Sequence, residues 1–348
     1  MVQTGTLSGC GMRNPCAKKG CNVSEARETA RWLGSLLTVA FLSCALSVLG
    51  QANQRPTNHK LATEIDKLFA ADINDETPSH ALHARVRQIF AESGIPSDET
   101  VGKEAAEEYV ILLSGEPRDF IEKVLPQLKK AADAGKVSEN SYIYLRAQLR
   151  QKKIREKFSG PPANPALKKT IERLIKTDQA ARPAGKQNWD LKKMEAADRA
   201  DGIEAHAIFA KYGLPTFAMV GPQAARDFDT VIQHQPLAFQ KQVLPQMKAD
   251  AEAGQVSSES YAMLLDRVES YSHRPQTYGE NFVCSPDGKG RPSPIADAAD
   301  VARRRAELGL MPLNLYAKVL GELYMNNLCA QVAAENKKAA HSKPAKPH

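Results

Sequence analysis

Apolar residues recur at the spacing of an amphipathic α-helix through most of the chain. In residues 81–93, for example, Leu82, Val86, Ile89 and Phe90 fall on one helical face. Strong helix formers fill the positions between such apolar residues, and only 6% of the chain is aromatic. The pattern therefore predicts an all-α fold.

The helical pattern occurs twice. When Ile89–Phe90 is aligned with Ile208–Phe209, the chain matches itself without a gap as far as Arg150 and Glu269. Further upstream, residues 61–72 match residues 167–178. The two copies are joined by the proline-rich stretch SGPPANP, which no helix can cross. We predict two tandem helical repeat units, of which the first is the more degenerate.

A different pattern follows the second unit. Residues 276–295 contain strand-forming residues around a Pro-Asp-Gly-Lys-Gly turn, which predicts a short β-hairpin. Two further helices are predicted, from Asp297 to Leu308 and from about Pro312 to Glu335. We divide the chain into an N-terminal segment (1–52), the first unit (53–158), a linker (159–165), the second unit completed by the hairpin and two C-terminal helices (166–335), and a basic disordered tail (336–348).

The N-terminal segment has the features of a secretory signal. Arg27 and Arg31 precede an apolar run over residues 33–50, and small residues follow. We expect an exported protein, periplasmic or secreted, and the alternative is that residues 33–50 remain as an inner-membrane anchor. Four of the six cysteines lie in this segment, which leaves Cys284 and Cys329 as a candidate disulfide.

Charge and metal-ligand spacing narrow the possible partners. The net charge of +7 is concentrated in residues 1–52 and 333–348, so the predicted folded part is close to neutral. This argues against a nucleic-acid-binding surface. No Cys/His spacing resembles a zinc site, so we predict neither a metal nor a cofactor. Contact with a membrane is expected only through the N-terminal segment.

The two units serve as an internal control, because a polar residue found in only one of them is not needed for the shared fold. His234 stands where the first unit has Gly115, and Asp266–Arg267 replaces Ala147–Gln148. The second unit also carries Gln179, Arg182 and Gln233 close to predicted helix ends. With polar residues of the following segment, the candidate ligand-binding set is Asp178, Gln179, Gln233, His234, Asp266, Arg267, Gln276, Tyr278, Arg304 and Arg305.

Three interpretations of this set remain open. The first is a non-enzymatic site for a small polar or anionic ligand or a peptide, since arginine and histidine suit carboxylates and other anions. The second is a hydrolase in which His234 is the general base and Asp266 orients it. The third is a structural cluster that docks the C-terminal segment against the second unit.

The same residues carry a family resemblance. The motifs are KTDQ (176–179), QH (233–234), DR (266–267), Q-x-YG (276–279) and RR-x-x-x-GL (304–310). In this order they resemble a widespread bacterial family of uncharacterised proteins, the domain of unknown function 6624. The resemblance covers the C-terminal half, and the N-terminal half is similar to it only as an eroded duplicate. It implies the fold and the place of a site, but no reaction.

Overall fold

A computed structural model describes residues 56–74, 79–182 and 190–341. The predicted signal or anchor segment, including the apolar run over residues 33–50, lies outside the described residues. Within the described ranges, no helix combines the length and the apolar character needed to cross a bilayer. The predicted all-α fold with one short hairpin is confirmed.

Both units are built from helices in the same order. In the described residues, the first unit contains α1 (His59–Ile73), α2 (Ser79–Ser93), α3 (Asp98–Val101), α4 (Lys103–Gly115), α5 (Arg118–Asp133) and α6 (Glu139–Lys157). The second contains α7 (Pro165–Ala180), α8 (Leu191–Tyr212), α9 (Phe217–Val220), α10 (Pro222–Gln233), α11 (Leu237–Glu252) and α12 (Ser258–Tyr271). From α3 and α9 onward, the starts of paired helices coincide in the register that pairs Ile89 with Ile208.

Local signals account for these shared boundaries. The short helices α3 and α9 begin after Ser97 and Thr216, whose side chains accept a hydrogen bond from a backbone N–H of the first turn. They end at Gly102 and Gly221, which have φ angles of 84° and 85°. That backbone conformation strongly favours glycine, so each unit makes the same sharp turn into its next helix.

Each unit surrounds its own apolar core. Tyr109 and Phe228 occupy equivalent positions, and both side chains are fully buried. The Tyr109 hydroxyl donates a 2.9 Å hydrogen bond to the carbonyl of Val86, which satisfies its one polar group inside the core. The phenyl ring of Phe228 fills the corresponding position in the second core without needing a partner.

The C-terminal extension begins with the predicted hairpin. Strand β1 (Phe282–Cys284) pairs antiparallel with β2 (Gly290–Pro292). It is followed by α13 (Val301–Leu308), α14 (Leu313–Leu320), a π-helical turn (Gly321–Met325) and α15 (Asn326–His341). Helix α15 continues past the predicted helix end at residue 335, because Lys and Ala in this stretch are strong helix formers.

The candidate cysteine pair is bonded. Cys284 of β1 and Cys329 of α15 form a disulfide, with an S–S distance of 2.10 Å and a Cα–Cα distance of 5.0 Å. Its sequence separation is 45 residues, so the bond ties the hairpin to the last helix.

The extension also packs on the first unit, which the sequence pattern did not indicate. Gln148 and Gln151 of α6 donate hydrogen bonds to the carbonyls of Gly309 and Leu308, at the end of α13. Ala306 belongs to the first apolar core, as does Leu315 of α14. The extension therefore connects the two units rather than completing the second one alone.

Candidate functional site

The predicted site residues separate into two groups in the structure. Asp178, Gln179 and His234 lie together beside a cavity. Asp266, Gln276, Arg304 and Arg305, with the backbone of Tyr278, hold the C-terminal extension. Between these groups, Arg267 Nη1 donates a 2.9 Å hydrogen bond to the carbonyl of Gln233.

Asp266 anchors the loop that leads into the hairpin. Its carboxylate is fully buried and accepts hydrogen bonds from the backbone N–H groups of Thr277, Tyr278 and Glu280, at 2.7–3.1 Å. Burial raises the pKa of Asp266, while these hydrogen bonds and the charge of Arg305 oppose the rise. Its hydrogen-bonding capacity is thus used on backbone groups.

The side chain of Gln276 fixes the base of the hairpin. Its amide nitrogen donates to the carbonyls of Asn281, at 3.0 Å, and Ser293, at 2.8 Å. Its oxygen accepts from the backbone N–H of Asn281 at 2.8 Å. Gln276 is fully buried, so these contacts leave it no surface for a ligand.

The two arginines of α13 bind the same loop. Arg304 donates to the carbonyls of Thr277 and Ala296. Arg305 is 1% exposed and donates to the carbonyl of Tyr278 and to Glu280 Oε1, both at 2.7 Å. Because these donors are already used, the two arginines do not form the expected anion site.

His234 is held by a carboxylate other than the expected one. It caps the C-terminus of α10, and its Nδ1 lies 2.8 Å from Oδ1 of Asp178. The side chain of Asp178 is fully buried, whereas that of His234 is 20% exposed. Asp266 is committed to the loop amides, so the predicted His234–Asp266 pair is not formed.

Asp178 is the centre of a small polar network. Its Oδ2 accepts a 2.7 Å hydrogen bond from the side-chain amide of Gln179. Nη1 of Arg182 donates to its Oδ1 at 2.9 Å, and Nη2 of Arg182 donates to Asp198 of α8. Both oxygens of Asp178 are thus bonded, which fixes the carboxylate that positions His234.

An open cavity of about 690 Å³ adjoins His234. Its lining comprises Glu195, Asp198, Arg199, Gly202, Ile203, His206, His234, Gln235 and Pro236. No side chain of the described residues hydrogen-bonds Nε2 of His234. The imidazole therefore has one nitrogen fixed by Asp178 and one available to a ligand.

Gly202 allows this cavity to form. A Cβ atom at Gly202 would lie 2.4 Å from Oε1 of Gln235, so helix α8 approaches Gln235 closely. The equivalent residue of the first unit is His83, whose Nδ1 lies 3.0 Å from Oε1 of Glu116. A Cβ atom at Gly115 would lie 3.3 Å from this imidazole. In the first unit, an imidazole therefore occupies the position at which the second unit has only Gly202.

The contribution of α8 was missed from the sequence. Asp198, Gly202 and His206 were not among the predicted residues, although all three line the cavity. Asp201 was missed as well, and its Oδ2 is buried without a hydrogen-bond partner among the described residues. Burial raises the pKa of Asp201, and repulsion by Asp178 raises it further. The sequence did contain a signal for this cavity. When the register that pairs Ile89 with Ile208 is extended upstream, Gly202 is paired with His83.

Three side chains at this site are of the types that bind metal ions. Oxygens of Asp178 and Asp198 and a ring nitrogen of His234 all lie within 4.8 Å of one another. The guanidinium of Arg182 contacts both carboxylates and supplies the positive charge that a cation would bring. A metal ion could use these ligands only after Arg182 had moved aside.

The family comparison covers this whole site. Residues 165–328 match the model of DUF6624, a family of unknown function. The match begins at the first residue of α7 and contains the His234 cavity and the loop anchored by Asp266. Neither a curated protein nor a solved structure gave a match. Over residues 165–328, the chain is therefore similar to the family of unknown function DUF6624.

Proposed function

We propose that the second unit binds a small polar ligand in the cavity beside His234. The observation that carries this proposal is the hydrogen bond between Nδ1 of His234 and the buried carboxylate of Asp178. A carboxylate accepts, so Nδ1 carries a proton, and in the neutral imidazole Nε2 then presents a lone pair to the cavity. A ligand with a hydroxyl or amine donor can use that lone pair.

The charges around the cavity indicate the kind of ligand. Asp198 lies on the wall, and the buried Asp201 follows it by one turn of α8. Glu195 and Arg199, also on the wall, form an exposed pair at 3.8 Å. The wall therefore already carries negative charge, which favours a hydroxyl- or amine-bearing ligand over an anion. The arginines that supported an anionic ligand lie in the loop anchor instead.

Hydrolysis is a second candidate, and the same pair favours it. In this mechanism, Nε2 of His234 removes a proton from water while the water oxygen bonds to an electrophilic carbon or phosphorus of the substrate. The bond from that atom to its leaving oxygen or nitrogen then breaks, and the protonated imidazole returns the proton to the leaving group. Asp178, rather than Asp266, would hold the imidazole in the required tautomer and stabilise its protonated form. For Asp266, Gln276, Arg304 and Arg305 we propose the third interpretation, which is docking of the extension.

Thermal-shift screening with small amines, amino acids and sugars tests the binding proposal. We expect a compound that raises the melting temperature of wild type and of Glu172→Gln, which removes an exposed acid from the same helix as Asp178. The rise should disappear in His234→Ala and shrink in Asp178→Asn. If every stabilising compound acts equally on wild type and His234→Ala, the proposal is wrong.

The hydrolytic candidate needs a separate assay. A panel of chromogenic esters, amides and phosphate esters should reveal a turnover that His234→Ala lowers by roughly 100-fold, as expected for loss of a general base. Asp178→Asn should lower kcat as well, because the imidazole loses its orienting carboxylate. If Asp178→Asn retains full activity, the assigned role of Asp178 is wrong.

We also propose that the protein is exported. The support is the Cys284–Cys329 disulfide, a bond typical of oxidising compartments, together with the basic and apolar pattern of the N-terminal segment. Thiol alkylation of protein taken directly from cells should leave Cys284 and Cys329 unmodified until a reductant is added. Immediate alkylation of both would contradict export.

A further inference from the structure

A second cavity lies where the two units meet. Its volume is about 670 Å³, and its walls come mainly from the end of α6, from α9 and α10, from the α11–α12 turn and from Tyr278 of the loop. A Cβ atom at Gly254 would lie 3.3 Å from Cδ1 of Ile154, so the two units approach closely here. The cavity requires both units, and it does not include His234.

The walls of this junction cavity are strongly basic. Five cationic side chains line it, and they are Arg150, Arg155, Lys157, Arg226 and Lys248. Glu252 is the acidic residue among the lining residues, and it lies 3.9 Å from Lys248 at the exposed edge. This imbalance contrasts with the near-neutral charge of the folded part of the chain.

Two of these arginines lack an acidic partner. Nη1 of Arg155 lies 3.5 Å from the side-chain oxygen of Gln151, and Nη2 of Arg226 donates to Gln223 at 2.8 Å. Among the described residues, no carboxylate lies within 4.0 Å of either guanidinium. Burial lowers the pKa of Arg155, and the nearby charge of Arg226 lowers it further. An anion between the two would relieve their repulsion and use their free donors.

Aromatic rings cover another part of the cavity. Phe158 and Phe217 lie with their ring centroids 5.9 Å apart, one from each side of the junction. Tyr261 and Tyr278 also line it, and burial raises the pKa of Tyr278 to about 12, so its hydroxyl remains a neutral donor at physiological pH. Such rings suit the flat apolar part of a ligand.

We propose that the junction cavity binds a small organic anion, with its phosphate or carboxylate group on Arg155 and Arg226 and a flat apolar body against the aromatic rings. This site is independent of the function proposed for His234. It also gives the first unit a role, since α6 supplies Arg155 and Phe158 to a site that the second unit cannot form alone.

Isothermal titration calorimetry with phenyl phosphate, benzoate, inorganic phosphate and phenol tests the proposal on the full chain. We expect phenyl phosphate or benzoate to bind wild type and phenol not to bind. Arg226→Gln and Arg155→Gln should each weaken binding roughly tenfold or more, as expected for loss of a charge-assisted hydrogen bond. Lys241→Gln removes an exposed cation outside the cavity and should leave binding unchanged.

The outcomes are distinguishable. Absence of binding by all three anions, or equal binding to the two arginine variants and to Lys241→Gln, would overturn the proposal. Inorganic phosphate binding as tightly as phenyl phosphate would overturn the part assigned to the aromatic rings. If Arg155→Gln does not fold, Arg226→Gln and Lys157→Gln carry the test. His234→Ala should bind the anion like wild type, which separates this site from the other one.

Discussion

The first and second units share a helical scaffold but differ in what they bury. Leu82, Val110 and Ala147 are buried in the first unit, and their counterparts in the second are Asp201, Asp229 and Asp266. At these three positions, the same helices bury apolar residues in one unit and carboxylates in the other. The shared scaffold does not require the acids, so their presence in the second unit calls for a reason of its own.

A histidine and a glycine have also exchanged places. The first unit has His83 on α2 and Gly115 at the end of α4, and its imidazole is bonded to the buried Glu116. The second unit has Gly202 on α8 and His234 after α10. The exchange moves the imidazole to a helix end and opens a cavity beside it. A His–Glu contact in one unit thus corresponds to a His–Asp contact beside a cavity in the other.

The largest expected effect comes from replacing Asp266 with alanine, the residue at the equivalent position of the first unit. Asp266→Ala leaves the backbone N–H groups of Thr277, Tyr278 and Glu280 without their acceptor. We expect a loss of ~3–5 kcal/mol in the free energy of unfolding, because buried unpaired donors are costly. Urea denaturation measures this. Asp266→Asn retains one carbonyl acceptor and should cost less. A loss below ~1 kcal/mol in both variants would contradict the anchoring role.

The next effect concerns Asp229, whose two carboxylate oxygens are buried without a hydrogen-bond partner among the described residues. Burial raises the pKa of Asp229 from its ordinary value of 3.8 to about 7. The folded state therefore holds a proton that the unfolded state releases, so this group makes the protein less stable as pH rises from about 4 to above 7. Asp229→Val, which introduces the counterpart residue, should remove that dependence.

Unfolding measured at pH 5 and pH 8 tests this prediction. The stability gained by Asp229→Val should be larger at pH 8 by ~2–3 kcal/mol. The reverse change in the first unit, Val110→Asp, should destabilise the protein by at least ~2 kcal/mol at pH 8, since it buries a carboxylate in an apolar core. A gain for Asp229→Val that does not change with pH would contradict the raised pKa.

A smaller effect on stability is expected when the histidine exchange is reversed. The triple variant Gly202→His, His234→Gly and Gln235→Glu transfers the first unit's His–Glu pair into the second. We expect the unfolding free energy to stay within ~1 kcal/mol, since one partly buried polar contact replaces another. Ligand-induced thermal shifts should be lost because the cavity is filled. A variant that retains those shifts would argue against the His234 cavity as the binding site.

The smallest effect expected of the wild-type protein is its response to divalent cations. In wild type, Arg182 holds the space between Asp178 and Asp198, so zinc or manganese should leave the melting temperature unchanged. Arg182→Ala should permit cation binding and gain ~1–2 kcal/mol of stability at saturating metal. Adding His234→Ala to that variant should abolish the gain. A metal-dependent shift in wild type itself would show that Arg182 yields its place to a cation.

The sequence predicted the helices and the two-fold order of the chain, because those features are encoded locally. Apolar spacing sets each helical face, serines and threonines cap helix starts, and Gly102 and Gly221 end the short helices. The hairpin and the cysteine pair were predicted from a turn motif and from cysteine counting. Because the two copies share a register, the alignment also located His234 as the position that departs from the scaffold.

Only the tertiary structure decided which carboxylate His234 meets. Asp178 and Asp266 both follow from the sequence as acids near helix ends, and nothing in their local spacing distinguishes them. The choice depends on distances between separate helices, and Asp266 is occupied by loop amides that the sequence places only downstream of it. For the same reason, the sequence did not predict the junction cavity, nor did it predict that α13 packs on the first unit. Periodicity determines which face of a helix is buried, whereas the partner of each buried polar group is set by elements distant in the chain.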